Sequence, residues 1–110
     1  MAGLFQQGVT LQKASRYSEA NAVFRRVARR LEAAEVKDAS IYGAIGYTHL
    51  MMGEPDEAIE FSLKALEIDP KFVPAMINTS SGCRFKDRLE EARQWAEKAL
   101  AIEPENPQPM

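Results

Sequence analysis

A chain of 110 residues with a net charge of −2 and 45% apolar residues has the size of one domain and an ordinary water-soluble composition. That balance supplies no polycation for nucleic acid, and no apolar run approaches the ~20 residues that span a bilayer, so neither partner is expected. The lone cysteine, Cys83, cannot form an internal disulfide and leaves a zinc site short of ligands, so no metal and no cofactor is expected.

The opening MAGLFQQG has neither the charged nor the apolar region of a signal peptide. With a single thiol, this points to a reducing, cytoplasmic setting. Further along, Tyr17, Ala20, Phe24, Val27 and Leu31 recur at steps of three and four, which is one face of a helix. RRLEAAEVK follows without Pro or Gly, so that helix is expected to run on. Gly53 breaks the next helical segment, and Pro55 suits the first turn of another. Pro70 stops it, and Pro74 opens the segment after. Asp87, three residues before Glu90, has the spacing of a capping box and predicts the start of the last helix. Pro104 is its expected stop.

Self-similarity organises these pieces. EANAVFRRVARRLE, EAIEFSLKALEIDP and EARQWAEKALAIEP each begin Glu-Ala, and Ala20, Ala58 and Ala92 stand 38 and 34 residues apart. Twelve residues before each alanine lie Gly8, Gly46 and Ser80, all small and at the same spacings. Around these landmarks the chain reads Leu4, Gln7, Gly8, Leu11; then Tyr42, Ile45, Gly46, His49; then Met76, Thr79, Ser80, Cys83. The second halves read Ala20, Phe24, Val27; Ala58, Ser62, Ala65, Pro70; and Ala92, Ala96, Ala99, Pro104.

With these residues the chain resembles three tetratricopeptide repeats, whose period is about 34 residues. The resemblance implies an all-α fold, a right-handed α–α superhelix of three helix-turn-helix hairpins. It implies one domain over 1–110, with repeats near 1–38, 39–72 and 73–106 and a short Pro-rich tail at 104–110. The four extra residues of the first repeat amount to about one helical turn, so its second helix should project beyond its neighbours.

MINTSSGCRFKD, residues 76–87, is the hardest stretch to place. It has the small residues of a phosphate or nucleophile loop, but it falls where the first helix of the third repeat belongs. A weak helix held by tertiary contact is the expectation, since packing overrides propensity differences of up to ~1 kcal/mol per residue. Cys83 and His49 could suggest a nucleophile and its base. Yet they hold equivalent places in successive repeats, about 8–10 Å apart, where such residues fill core. GAIG at residues 43–46 lacks the lysine and the preceding strand of a phosphate loop. No enzyme is expected. Charge is uneven: residues 1–38 carry +3, residues 39–72 carry −4 and residues 73–110 carry −1. Arg25, Arg26, Arg29 and Arg30 cluster on one helix, as a solvated face or a contact for an acidic partner.

The resemblance places a peptide-binding groove on the first helices of the hairpins. Carried over, its residues are Phe5, Val9, Gln12 and Lys13; Tyr47 and Met51; and Asn78, Ser81, Arg84 and Phe85. Gly43, Leu50 and Ile77 face the same way; the alternative, that some of these residues only pack between neighbouring helices, applies best to Leu50 and Phe85. Some relatives hold acidic tails there by a clamp of Lys, Asn and Arg. At the clamp's places this chain has Phe5, Val9, Ala44, Pro74 and Asn78. The expected function is a non-catalytic scaffold binding a protein or peptide segment. The alternatives are a piece of a longer or self-assembling array, or a regulatory module of a larger enzyme. Trp95, Leu100 and Ile102 should be partly exposed at the C-terminal edge, a candidate surface for a homo-oligomer.

Overall fold

The computed structural model describes residues 3–103, and among them there are six helices and no strand. They are α1 (Leu4–Lys13), α2 (Tyr17–Ala33), α3 (Ala39–Met51), α4 (Pro55–Ile68), α5 (Val73–Phe85) and α6 (Leu89–Ile102). Each helix packs on the next, and α3 also packs on α5, so three hairpins stack in a row. Pro104 and the Pro-rich tail lie outside the described residues.

The core runs along the hairpin seams. Ala20, Phe24 and Ala28 of α2 bury one stripe, continued by Ile41, Tyr42 and Ile45 of α3. Ala65, Leu66, Ala75 and Met76 extend it into the third hairpin. Thr79 to Cys83 lie inside α5, so the small-residue stretch is a helix. Its polar side chains are satisfied within the packing. Thr79 Oγ1 donates to Ala75 O at 2.8 Å, and Ser80 Oγ donates to Ala92 O on α6 at 2.7 Å. Gly82 is there because α4 leaves no room: a Cβ would stand 2.7 Å from Ile59 Cγ1.

The turns inside the hairpins share one geometry that the sequence hid. Ser15, Gly53 and Asp87 all have positive φ, at 63°, 75° and 63°. The next residue in each turn closes the loop by donating its N–H to an equivalent carbonyl. Arg16 bonds Leu11 O at 2.9 Å, Glu54 bonds His49 O at 2.9 Å, and Arg88 bonds Cys83 O at 2.8 Å. This is the left-handed stop that glycine adopts most cheaply. Asp87 is therefore not a capping box: it sits in the turn, and Arg88 is the N-cap, without a side-chain cap bond. Pro55 does occupy the first turn of α4.

The first repeat's extra residues lengthen α2 to 17 residues, against 14 in α4 and 14 in α6. The overhang is tied down. Tyr42 of α3 donates its hydroxyl to the Glu32 carboxylate, and the Lys64 ammonium stands 4.9 Å from the Tyr42 ring centre. Burial, then the bond and charge of Glu32, push the Tyr42 phenol up to about 12. The folded state thus favours neutral Tyr42. Its contribution is complete below the ordinary value of 10.0 and disappears as pH rises through about 12. Thermal melts of the native protein and Tyr42→Phe should differ by a constant amount at neutral pH. Their difference should shrink across that alkaline window.

The left-handed turns give a second expectation. Ser15→Gly and Asp87→Gly should each raise unfolding stability by roughly 0.5–1 kcal/mol, because glycine relieves the Cβ strain at a smaller entropic cost. At Gly8 a methyl would meet the Phe24 ring at 2.4 Å. Gly8→Ala should cost ~1–3 kcal/mol through overpacking, read from denaturant titrations.

Candidate functional site

The first helices of the hairpins, α1, α3 and α5, share a concave face with two clefts. The first, of about 250 Å³, is walled by Phe5, Val9 and Gln12 of α1 and by Ala44 and Tyr47 of α3. Pro74 and Asn78 of α5 complete it, and Phe24 forms the floor. Aromatic contacts fix its walls. The Phe5 and Phe24 ring centres are 5.5 Å apart, and Tyr47 meets Tyr17 edge to face at 6.4 Å. Gly43 lets the Phe72 ring lie against α3, where a Cβ would stand 2.8 Å from it. Asn78 is buried and donates Nδ2 to Gly43 O at 3.1 Å, joining α5 to α3 at the cleft's edge.

The second cleft, of about 600 Å³, lies at the C-terminal ends of α3 and α5. Leu50, Met51, Gly53, Ser81, Arg84 and Phe85 line it. Nine of the ten groove residues expected from sequence therefore fall into two sets. Phe5, Val9, Gln12, Tyr47 and Asn78 meet in the first cleft, and Met51, Ser81, Arg84 and Phe85 in the second. Lys13 is exposed and lines neither. The five clamp places, Phe5, Val9, Ala44, Pro74 and Asn78, all line the first cleft. Phe85 is not packed between helices: it is 63% exposed at the rim of the second cleft, where α5 ends.

Sequence reasoning missed a polar network behind this face. Asn21 Nδ2 donates to Thr48 Oγ1 at 2.7 Å, and Arg25 Nε donates to Asn21 Oδ1 at 2.9 Å. The Arg25 guanidinium also reaches His49 Nε2 at 2.7 Å and lies 4.8 Å from the Phe61 ring centre. A guanidinium only donates, so His49 Nε2 must accept. The imidazole proton is then on Nδ1, which donates to Glu54 Oε1 at 2.7 Å. The ring is further held by stacking on Phe61, centres 5.7 Å apart. The available signal was a run of polar residues, Asn21, Thr48 and His49, at places the helical period assigns to core. Of the four clustered arginines, Arg25 belongs to this network, whereas Arg26, Arg29 and Arg30 are exposed.

His49 thus has both ring nitrogens engaged by Arg25 and Glu54 rather than by a thiol. Cys83 is buried, and burial pushes its thiol up, which keeps it protonated and weakly nucleophilic. Among the described residues no group of three or more His, Cys, Asp or Glu side chains is placed to hold a metal ion. No helix among them is long and apolar enough to cross a membrane.

Comparison with known proteins agrees with this architecture. A tetratricopeptide repeat family model matches residues 39–72 and 83–106. An uncharacterized protein of Methanocaldococcus jannaschii is 32% identical over 68 residues, covering 62% of this chain and 79% of that protein. Among solved structures, the MamA protein aligns over 93% of this chain with a TM-score of 0.76 and 26% sequence identity. The chain spans 54% of that structure's length.

The network should be energetically coupled. Arg25→Ala strands the Asn21 and His49 side chains, and should lower stability by roughly 1–3 kcal/mol. A double-mutant cycle with His49→Ala, read by denaturant unfolding, should give an interaction energy above ~0.5 kcal/mol.

Proposed function

The chain belongs to the tetratricopeptide repeat family, and on that premise we propose that it is a non-catalytic scaffold seating a neutral or apolar segment of a protein partner along its concave face. The observation that carries this reading is the composition of the first cleft. Phe5, Val9, Ala44, Tyr47 and Pro74 present apolar surface, and the five clamp places hold no cationic side chain. A carboxylate entering there would lose water without gaining charge-assisted bonds. Asn78 suits a peptide backbone instead. Its Nδ2 is committed to Gly43 O, which orients Oδ1 as an acceptor for a ligand N–H.

The second cleft supports a two-part ligand. Met51 and Phe85 offer exposed, adaptable apolar surface, and Arg84 stands beside them. A segment long enough to run through both clefts would bury its apolar side chains in the first and place polar groups near Arg84 in the second. The single thiol fits action in the reducing cytoplasm.

Isothermal titration calorimetry with a neutral apolar peptide and with an acidic-tail peptide tests the proposal. The apolar peptide should bind and the acidic one should not. Tyr47→Ala should weaken apolar binding by ~1–2 kcal/mol if the ring is an anchor. Tight binding of the acidic tail, abolished by Lys13→Ala or Arg84→Ala, would overturn the reading.

A further inference from the structure

We propose that two copies of this chain pair about a two-fold axis through α6, each covering the other's C-terminal edge. The case begins with equivalent positions. Inside the stack, each second helix is covered by the first helix of the following hairpin. Leu66 of α4 is covered in this way and is 9% exposed. Its equivalent on α6, 34 residues on, is Leu100, which is 57% exposed. Leu89, the equivalent of Pro55, is 59% exposed. Beside them a cleft of about 240 Å³ opens between α5 and α6, with Val73, Ile77, Ala96 and Leu100 in its lining.

The opposite edge is built differently. Ile41, Ile45 and Thr48 on α3 face the preceding hairpin and are buried, as are Ala75, Thr79 and Gly82 on α5. The equivalents in the first repeat, 38 residues before the α3 set, are Gly3, the N-cap of α1, and Gln7 and Thr10 on α1, all exposed. Head-to-tail stacking would press this polar face on the apolar one and leave Gln7 and Thr10 to find buried partners. An isologous pairing of apolar edge with apolar edge avoids that cost and closes as a dimer.

The outward stripe of α6 suits such a pairing. Leu89, Arg93, Ala96 and Leu100 follow at steps of four, three and four, a spacing that reads the same in both directions. When two copies run antiparallel, Leu89 lies opposite Leu100 and Arg93 opposite Ala96. Antiparallel is also the sense in which consecutive, shortly connected helices cover one another within the chain. Charge agrees. Arg93 is flanked on its own helix by Glu90 and Glu97, bonding both. The two-fold brings each Arg93 beside Glu97 of the second copy, so the centre of the contact carries both signs. The edge cleft between α5 and α6 shares Ser81 and Arg84 with the second concave cleft, whereas Leu100 lines the edge cleft alone.

Sedimentation velocity across a concentration series should show a monomer–dimer equilibrium with no larger species. Leu100→Glu places a charge on an exposed position, so circular dichroism should show the native helix content while the dimer is lost. Arg93→Glu and Glu97→Arg should each raise the dimer dissociation constant by more than about tenfold, through like charges facing across the axis. Mixing these two variants should restore dimerisation, since every facing pair is then of opposite sign. Peptide calorimetry on Leu100→Glu should match the native protein, which separates this contact from the groove. A monomer at all concentrations would overturn the proposal and leave the edge to a different protein. Growth into open-ended oligomers, or a dimer that survives Leu100→Glu, would overturn it as well.

Discussion

Each hairpin rests on a close approach, where its first helix carries little or no side chain and the second presses in. A methyl at Gly8 would overlap the Phe24 ring, and one at Gly46 would come within 2.5 Å of Ser62 Oγ. The third hairpin carries Ser80 at this place and Ala96 where the others carry Phe24 and Ser62. Volume is thus exchanged across the seam: a large ring needs a glycine, and an alanine leaves space for a serine. Dense packing makes the pair, rather than either residue, the unit that must fit. The compromise shows at Ser62, whose fully buried hydroxyl has no hydrogen-bond partner among the described residues. Ser80 avoids that cost by reaching Ala92 O.

The concave face follows from the same constraint. With hairpin geometry set at the small residues, stacking brings α1, α3 and α5 to one side. There the space between them depends on what stands at each crossing. Gly43 draws Phe72 in, and Asn78 ties α5 to α3 through a backbone carbonyl. The clefts are where these crossings leave gaps, so their shape is set by the same contacts that hold the helices together. Cys83 and His49, which the sequence set as a candidate nucleophile and base, are not paired with each other. Cys83 is packed, and His49 is held between a guanidinium and a carboxylate.

Much of this was legible in the sequence because it is periodic. Ala20, Ala58 and Ala92 with Gly8, Gly46 and Ser80 set the hairpin register, and Gly53–Pro55 marked one turn. The longer α2 followed from counting residues. What stayed hidden depends on contacts between distant positions or on backbone sign. The spacing of Asp87 and Glu90 is that of a cap. Only the register with Gly53 reveals that Asp87 takes the left-handed place. The Arg25–His49 pair joins residues 24 apart. Local periodicity marks both positions and says nothing of their meeting. For the groove, the facing positions could be carried over, but their division into two clefts follows from contacts between helices that local periodicity does not show.

The two seams between repeats are made of different material. Between the first and second run Asn21–Thr48, Arg25–His49 and Glu32–Tyr42, side-chain bonds that connect α2 to α3 along its length. Between the second and third, Asn78 Nδ2 donates to Gly43 O, Lys86–Asp56 is a surface pair, and the approach of Gly82 to Ile59 is apolar and sensitive only to distance. Directional bonds resist rotation, whereas a smooth apolar contact lets one unit slide on another. In a chain where each unit touches only its neighbours, loosening begins at the seam with fewer such restraints. The third hairpin is thus held to the stack by fewer side-chain bonds than the first, and by shape for the rest.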